Sequence, residues 1–252
     1  MGNGFSFETV NAEDYDDLRP DYAPEAVAWV AERAELRPGS LVVDLAAGTG
    51  QLSRRFALLG ADVLAVEPAT NMRATLAERL PSVRVTDGRA ESIPLDDGAA
   101  EAVVIGNAFH HFDADSAYVE IRRVLRPNGA LALFWARPLE GEQWERYPAL
   151  REIDAAVERS RAANAIASAY RSWATPPGPV DGYTDAERRE FRTTHTVPSA
   201  RLADLYATSS DMASIAAQER STVLARVREL AADLPDVLDL PGRSVVDLRF
   251  RD

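Results

Sequence analysis

The sequence contains no cysteine and no lysine, and each absence excludes classes of function. Without cysteine the chain has no disulfides, no thiolate metal ligands and no cysteine nucleophile. All 28 basic residues are arginines, and 40 acidic residues outnumber them, which gives a net charge of −12. This balance argues against a broad cationic surface for nucleic acid, so we predict no nucleic-acid partner.

Long apolar runs are also missing. No apolar stretch approaches the ~18 residues of a membrane-spanning helix, and the polar, acidic segment 1–10 lacks the apolar core of a signal peptide. We therefore predict a cytoplasmic protein with no membrane partner and no metal site, and the sequence leaves the oligomeric state open. With 252 residues and 46% hydrophobic content, the chain has the size of one α/β domain with a modest insertion.

The stretch 41–51 (LVVDLAAGTGQ) is the most informative one in the chain. It begins with an apolar run that predicts a strand buried on both faces, and Asp44 stands at the end of that run. Gly48 and Gly50 lack Cβ, so the backbone can turn sharply there and let a ligand lie against it. A helix predicted from Gln51 to Leu59 would point free N–H groups and a positive dipole end at the same place. Together these features predict a cradle of nucleotide size.

Two classes of ligand suit such a cradle. A dinucleotide site needs a third glycine where this chain has Ser53, so that fingerprint is incomplete. The other class is a ligand with an amino-acid moiety, whose ammonium group Asp44 would help to place. In either case Glu67, at the end of the predicted second strand Asp62–Val66, stands where an acid accepts hydrogen bonds from both ribose hydroxyls. The alternative is that Glu67 merely faces solvent beside Pro68.

Strands and helices alternate five times up to about residue 137, which predicts right-handed crossovers and a parallel sheet. A turn is predicted at Arg126–Gly129, just before the fifth strand. Beyond Pro138 the sequence is helix-prone and aromatic, and two late strands are predicted as an antiparallel edge, at Phe191–Val197 and Ser244–Phe250. We divide this single domain into an N-terminal arm and helix (1–36), a cofactor-binding core (37–137), a helical insertion (138–182) and C-terminal strands and helices (183–252).

Five motifs follow one another along the chain: VVDLAAGTGQLS, VLAVEPATNM, GRAESIPLDDG, NAFHHF and LRPNGALALFW. In this order the chain resembles the class I S-adenosylmethionine-dependent methyltransferases, and among them the type 11 domain of quinone-biosynthesis and trans-aconitate-type enzymes. The resemblance implies a Rossmann-like, doubly wound sheet of seven strands in the order 3-2-1-4-5-7-6, with strand seven antiparallel. It also implies S-adenosyl-L-methionine as cofactor, S-adenosyl-L-homocysteine as product, and a small-molecule substrate methylated on oxygen, nitrogen or carbon.

The resemblance implies the cofactor contacts position by position. The residues so implied are Asp44, Ala46, Gly48 and Gly50 for the methionine part, Glu67 for the ribose, Pro68, Met72, Ala90 and Glu91 for the adenine, and Asn107 for the amino-acid end or the sulfonium. One departure concerns Arg89, which stands where many relatives carry an acid directed at the adenine amine.

His110 and His111 follow the fourth strand, at a place where relatives often carry a histidine. One interpretation is structural, with one ring at the start of the next helix and the other packed beneath it. The other is that they contact the substrate as candidate catalytic residues. Methyl transfer is an in-line displacement in which positioning supplies most of the rate. A histidine base is useful only if the acceptor must lose a proton.

The arm and the insertion are predicted to enclose the site. Tyr15, Arg19 and Tyr22 precede the first predicted helix and form either a solvated arm or, as in relatives, a lid over the sulfonium. In this family insertions after strand five cover the substrate, so 138–182 is predicted to be a cap. The aromatic residues predicted to line the acceptor site, although aromatics more often belong to a core, are Trp135, Trp144, Tyr147 and Trp173.

Three functions remain open at this point. The first is a methyltransferase acting on a small molecule. The second is a methyltransferase-like protein that binds the cofactor without transferring methyl, as a cyclase or a binding module. The third is an NAD-linked oxidoreductase, which shares the strand–glycine–acid arrangement but lacks the third glycine. The sequence does not identify the acceptor.

Overall fold

The computed structural model describes residues 7–163, 178–209, 212–213 and 215–252. Seven strands form one sheet: β1 (Leu41–Leu45), β2 (Asp62–Val66), β3 (Arg84–Thr86), β4 (Ala100–Gly106), β5 (Leu125–Pro138), β6 (Glu187–Pro198) and β7 (Val237–Phe250). The helices before β6 are α1 (Ala12–Leu18), α2 (Pro24–Arg33), α3 (Gln51–Leu58), α4 (Thr70–Arg79), α5 (Ala114–Val124), α6 (Glu140–Arg146) and α7 (Ala149–Ala163). Between β6 and β7 lie α8 (Leu202–Ala207) and α9 (Ala217–Ala231).

The strand order is β3-β2-β1-β4-β5-β7-β6, with β1 to β5 parallel and β7 antiparallel to both of its neighbours. This confirms the predicted sheet. The winding direction changes beside β1, because β2 lies on one side of it and β4 on the other. At such a switch point the loops after the strands diverge and leave a crevice at the carboxyl edge of the sheet.

Both faces of the sheet are covered, which explains the apolar run of β1. Val42 packs into a cluster with α2 and α3, whereas Val43 packs into a second cluster with α5 on the other face. Both valines are fully buried, as expected of a parallel strand inside an α/β protein. The loop that follows β1 therefore starts from a strand that is packed on both faces.

Three strands are longer than predicted. The predicted turn Arg126–Gly129 is wrong as a boundary, since β5 begins at Leu125 and the register against β4 shifts across those residues. The turn is held in the sheet from the far end of the chain: Asn128 N donates to Arg251 O, and Arg251 N donates to Gly129 O. β6 and β7 likewise pair over twelve positions, from Glu187 with Leu248 to Pro198 with Val237.

The ends of β6 and β7 extend past β5 and carry a third apolar cluster with α6 to α9. Trp144 and Tyr147 pack against this cluster. The Trp144 indole donates to Asp154 (2.8 Å), and the Tyr147 hydroxyl accepts from the Asp239 amide (3.1 Å). Leu18 at the end of α1 also belongs to this cluster, so the arm touches the helical part.

The arm is a packed helix and not a solvated segment. α1 begins after Asn11, whose side-chain oxygen accepts from the amides of Glu13 and Asp14, an N-cap that the sequence analysis overlooked. Leu18 and Tyr22 are buried. Among the described residues, no helix has both the length and the apolar character that crossing a membrane requires.

Candidate functional site

The glycine turn after β1 has the backbone shape that the sequence predicted. Gly48 and Gly50 have φ values of +58° and +92°, and Ala46 reaches the left-handed region at +56° although it has a Cβ. Backbone strain of this kind in a non-glycine residue costs about 1–3 kcal/mol and is typical of functional sites. α3 begins immediately after the turn, so its first amides point into the crevice.

Asp44 lies below this turn and is fully buried. Its Oδ2 accepts from the Ser53 amide (2.8 Å) and from the Ser53 hydroxyl (2.6 Å). Burial raises the pKa of Asp44 to about 7, against the lowering effect of these two bonds, and the charge of Glu67 raises it further. Ser53, which breaks the dinucleotide fingerprint, thus holds this carboxyl group. A ligand cation beside Asp44 would favour its ionised form.

Glu67, at the end of β2, is tied to the same turn. Its Oε2 accepts from the Gly48 amide (2.8 Å), and its Oε1 accepts from the Ala69 amide (2.8 Å). Burial raises the pKa of Glu67, while the hydrogen bonds from Ala69 and Gly48 lower it. The alternative of a solvent-facing Glu67 is wrong, since the residue is 5% exposed. A carboxylate has about four lone-pair positions, so two further hydroxyl donors fit alongside these amides.

A narrow cleft of about 20 Å³ lies over the turn. It is lined by Asp44, by the turn residues, by the first residues of α3, by Gly106, and from the arm by Tyr15 and Tyr22. The Thr49 hydroxyl oxygen is buried, and among the described residues it has no hydrogen-bond partner. Buried polar atoms of this kind usually have a partner, so Thr49 points to a ligand group. An acid, a hydroxyl and free backbone amides suit an amino-acid moiety.

The residues predicted for the adenine lie on the β2–β3 side of the crevice. Met72 is buried with Val10 and Ala69 in a small cluster, against which Phe7 and Tyr15 of the arm pack. Pro68 is exposed. Two other predicted residues, Ala90 and Glu91, follow β3: the first is buried, and the carboxylate of the second accepts from the Asp113 amide (3.1 Å).

Asn107 joins β4 to the arm. Its backbone has φ +52°, its Oδ1 accepts from the Ala136 amide (3.1 Å) and its Nδ2 donates to the Tyr22 hydroxyl (3.0 Å). The Tyr22 hydroxyl also lies close to Gly106, where a Cβ would come within 2.4 Å of it. Gly106 is thus needed because an aromatic side chain from the arm occupies that space.

The two histidines lie beyond Asn107 in a short 3₁₀ segment, with ring centroids 3.9 Å apart. His110 stacks on Trp135 at 5.9 Å and 30°, and Phe7 of the arm meets the edge of His111. Burial, His111 and the charge of Arg137 lower the pKa of His110 to about 3, and burial lowers the pKa of His111. His110 is therefore neutral at physiological pH, the form in which an imidazole can accept a proton.

Hydrogen bonds from α4 and α3 hold the arm against the core at two places. The Asn71 side chain donates to the carbonyls of Phe7 and Val10, and Gln51 Nε2 donates to the Arg19 carbonyl. The Arg19 guanidinium lies 5.4 Å from the centre of the Tyr15 ring. Tyr15 and Tyr22 of the arm thus line the cleft, whereas Arg19 contacts Tyr15 and is not among the lining residues.

The other aromatic residues predicted to line the acceptor site do not lie together. Trp135 lies at the carboxyl edge beside His110, whereas Trp144 and Tyr147 pack against the helical cluster described above. Trp173 lies outside the described residues. The sequence analysis missed Thr49 and Arg137; the first could have been found from its place inside the GTG turn, and the second has no local signal.

The comparisons with known proteins agree with this geometry. A family model described as a methyltransferase domain matches residues 43–133. An uncharacterized methyltransferase of Mycobacterium tuberculosis is 36% identical over 228 residues, 90% of this chain and 86% of that protein. A ubiquinone/menaquinone biosynthesis C-methyltransferase of Caulobacter is 34% identical over 125 residues, 44% of this chain and 50% of the relative.

Among solved structures, one named as a type II methyltransferase from Anaeromyxobacter dehalogenans has a TM-score of 0.59 at 23% identity, covering 93% of this chain and 97% of that one. At this identity the similarity concerns the fold. The family match and the mycobacterial relative decide against the NAD-linked alternative. The chain belongs to the methyltransferase family, and it is an S-adenosylmethionine-dependent enzyme of that family.

Proposed function

We propose that the protein transfers the methyl group of S-adenosylmethionine to a small-molecule acceptor held at the carboxyl edge between β4 and β5. The observation that carries the proposal is that Asp44 and the glycine turn line one cleft beneath Tyr15 and Tyr22, while Glu67 accepts a hydrogen bond from Gly48 of the same turn. When bound there, the cofactor supplies an electrophilic methyl group on a sulfonium.

Different residues would bind different parts of the cofactor. Asp44 and the Thr49 hydroxyl would bind the amino-acid end, because an acid favours the ammonium and a buried hydroxyl needs a partner. Glu67 would accept hydrogen bonds from the ribose. Met72 would pack beside the adenine, with Ala90 and Glu91 along its edge.

Asn107 and His110 would face the reacting centre. Asn107 is held by the Ala136 amide of β5 and, when the arm is closed, by the Tyr22 hydroxyl, so its position is fixed in the closed site, which favours an in-line arrangement. His110 is held neutral by burial and by the charges of His111 and Arg137, and the same effects make it a weak base in the free protein, so its proposed role is to contact and position the acceptor. His111 would support His110, with which it is in ring contact.

The arm would act as a lid. The cleft of about 20 Å³ is far smaller than the 300–1,000 Å³ typical of small-molecule sites, so Tyr15, Arg19 and Tyr22 must move before the cofactor enters. We further propose that the chain is one domain and that 138–182 caps the substrate, since its helix α7 packs in the same cluster as Leu18 of the arm.

Two measurements test this function. Calorimetry with S-adenosylhomocysteine tests the cofactor site, and the absence of any binding heat would reject the proposal. Tritium transfer from labelled S-adenosylmethionine to candidate acceptors tests catalysis. Binding without transfer to any acceptor would favour the cyclase or binding-module alternative.

A further inference from the structure

Acidic residues of α1 form ion pairs with arginines on two elements that lie far apart in the sheet order. Asp14 Oδ1 lies 2.6 Å from Nη2 of Arg201, which follows β6 at one edge of the sheet. Nη1 of Arg79, in α4 near the other edge, lies 3.0 Å from Asp16 Oδ2 and 3.2 Å from Asp17 Oδ1. These three ion pairs, which we call the arm latch, thus hold α1 from two sides.

The pair between Asp16 and Arg79 differs from the other two in burial. The Asp16 side chain is 4% exposed, whereas the side chains of Asp14 and Asp17 are 32% and 49% exposed. Among the described residues, Asp16 Oδ1 has no hydrogen-bond partner, so the charge of Asp16 depends on Arg79. Removing the partner of a buried charge is costly. Exposed ion pairs contribute less, and salt screens them.

The arm latch lies outside the cleft. The described residues that line the cleft include Tyr15 and Tyr22 of the arm, but none of the acids and arginines of the latch. The latch would therefore stabilise the closed arm to the same extent whether or not the cofactor is bound. An interaction that favours closure equally in both states does not change the affinity for the ligand. It does slow every event for which the arm must open.

We propose that the arm latch sets the rates at which S-adenosylmethionine enters the site and S-adenosylhomocysteine leaves it, with little effect on their affinities. This rests on the proposed function, because it assigns a control of rate to the lid of the same site. All three pairs lie on one helix, so opening the arm breaks them together. Entry and release pass through the same open state, so a weaker latch accelerates both by a similar factor.

The test is stopped-flow tryptophan fluorescence of the full chain mixed with S-adenosylhomocysteine, whose Kd is first measured by calorimetry. This ligand has one ammonium and one carboxylate group and no net charge, so salt acts mainly on the protein. Raising the potassium chloride concentration from about 0.01 M to about 1 M shortens the Debye length from about 30 Å to about 3 Å. We expect the association and dissociation rate constants both to rise about threefold or more, while the Kd changes less than about twofold.

Variants of the two arginines should act in a defined order. Arg79→Gln leaves the buried Asp16 without its partner and should raise both rate constants about tenfold or more. Arg201→Gln breaks an exposed pair and should raise both about 1.5- to 5-fold. Arg84→Gln is the control, because Arg84 pairs with Asp62 at the start of β2 and β3 and should leave both rates unchanged. A variant that merely damaged the site would not bind its ligand faster.

Exchanging the charges of one pair tests the latch even if Arg79→Gln does not fold. Asp14→Arg and Arg201→Asp each bring like charges together and should accelerate both association and dissociation. The double variant restores opposite charges, so its rate constants should be lower than those of either single variant. The recovery should be partial, because Arg201 also pairs with Asp204 at 3.0 Å.

Three results would overturn the latch: rate constants that do not respond to salt, a dissociation that accelerates without a faster association, or a double variant no slower than the single ones. A protein that binds no S-adenosylhomocysteine at low salt overturns the proposed function itself. The two failures are therefore distinguishable.

Discussion

Glu67 Oε2 accepts a hydrogen bond from the Gly48 amide at 2.8 Å, so the acid at the end of β2 fixes the turn at the end of β1. The other oxygen accepts from Ala69 at the start of α4. Glu67 thus has a structural task as well as its proposed contact with ribose. One buried carboxylate both shapes the cradle and would bind the ligand, so its replacement should affect stability and affinity together.

Glu67→Gln should show both effects. A glutamine has one acceptor oxygen, so its NH₂ group would face one of the two backbone donors. We expect the free energy of unfolding to fall by about 1–3 kcal/mol and the Kd for S-adenosylhomocysteine to rise about 10- to 150-fold. Urea unfolding and calorimetry measure these quantities. Glu78→Gln, on the exposed side of α4, is the matched control, and an unchanged Kd in Glu67→Gln would reject the ribose assignment.

Tyr22 and Gly106 should behave as a coupled pair. Tyr22→Phe removes the hydrogen bond from Asn107 and should cost about 1 kcal/mol of stability. Gly106→Ala brings a Cβ against the Tyr22 hydroxyl and should cost about 1–3 kcal/mol. The double variant should lose less than the sum, by about 0.5 kcal/mol or more, because removing the hydroxyl makes room for the methyl group.

Denaturant unfolding of the four proteins measures this coupling. Tyr183→Phe provides the control, since its hydroxyl donates to the Tyr118 carbonyl within the cluster on the other face of the sheet. Its effect should add to that of Gly106→Ala. If the effects of Tyr22→Phe and Gly106→Ala on stability also simply add, then the Tyr22 side chain does not pack against Gly106 at the end of β4 in solution.

Local patterns predicted the parts of the fold that local chemistry determines. The glycine turn and the strand Asp62–Val66, with Glu67 directly after it, occur as predicted, because apolar strands and glycine positions are visible within ten residues. The antiparallel β7 came from the family resemblance, which the sheet confirms.

Contacts between distant segments explain what the sequence did not predict. β5 continues through Arg126–Gly129 because Arg251, more than a hundred residues later, bonds to that turn. No sequence motif marks Arg137. Its place in the site is known only from its contact with the Trp135 ring and from its effect on the pKa of His110. The separation of Trp144 and Tyr147 from the cleft likewise depends on how the helices after β5 pack, which no short motif encodes.

The arm should exchange its amide hydrogens more slowly when ligand is bound. Tyr15 and Tyr22 line the cleft and Gln51 donates to the Arg19 carbonyl, so the arm must open for ligand to enter or leave. At a ligand concentration of about 100 Kd, opening that requires release of S-adenosylhomocysteine costs about 2.7 kcal/mol more, which slows exchange by up to about 100-fold. Mass spectrometry of amide exchange should detect this slowing in residues 12–22 and none in α9. Equal rates in the arm with and without ligand would reject its role as a lid.

Asp44 should make stability depend on pH in the direction opposite to an ordinary carboxylate. Its pKa in the folded protein is about 7, against about 3.9 when unfolded. Between these values the folded state holds a proton that the unfolded state has lost, so the contribution of Asp44 to stability falls as pH rises, by up to about 4 kcal/mol. His110 opposes this trend, because its pKa is lowered on folding and its contribution is lost as pH falls below about 6.5.

The opposite effects of Asp44 and His110 on how stability changes with pH partly cancel in the wild-type protein. The Asp44→Asn variant should separate them. Asparagine keeps an oxygen that accepts from Ser53 but does not titrate, so the pH dependence due to Asp44 is removed while the contributions of Glu67 and of the three histidines remain. The variant should therefore gain stability over the wild type progressively from about pH 5 to pH 7. It should also bind S-adenosylhomocysteine more weakly, because the ammonium loses its counter-charge. Urea unfolding at four pH values measures the difference, with the exposed Asp62→Asn as control. A difference in stability that does not change with pH would show that folding does not raise the pKa of Asp44, and an unchanged Kd for S-adenosylhomocysteine would reject its assignment to the ammonium group.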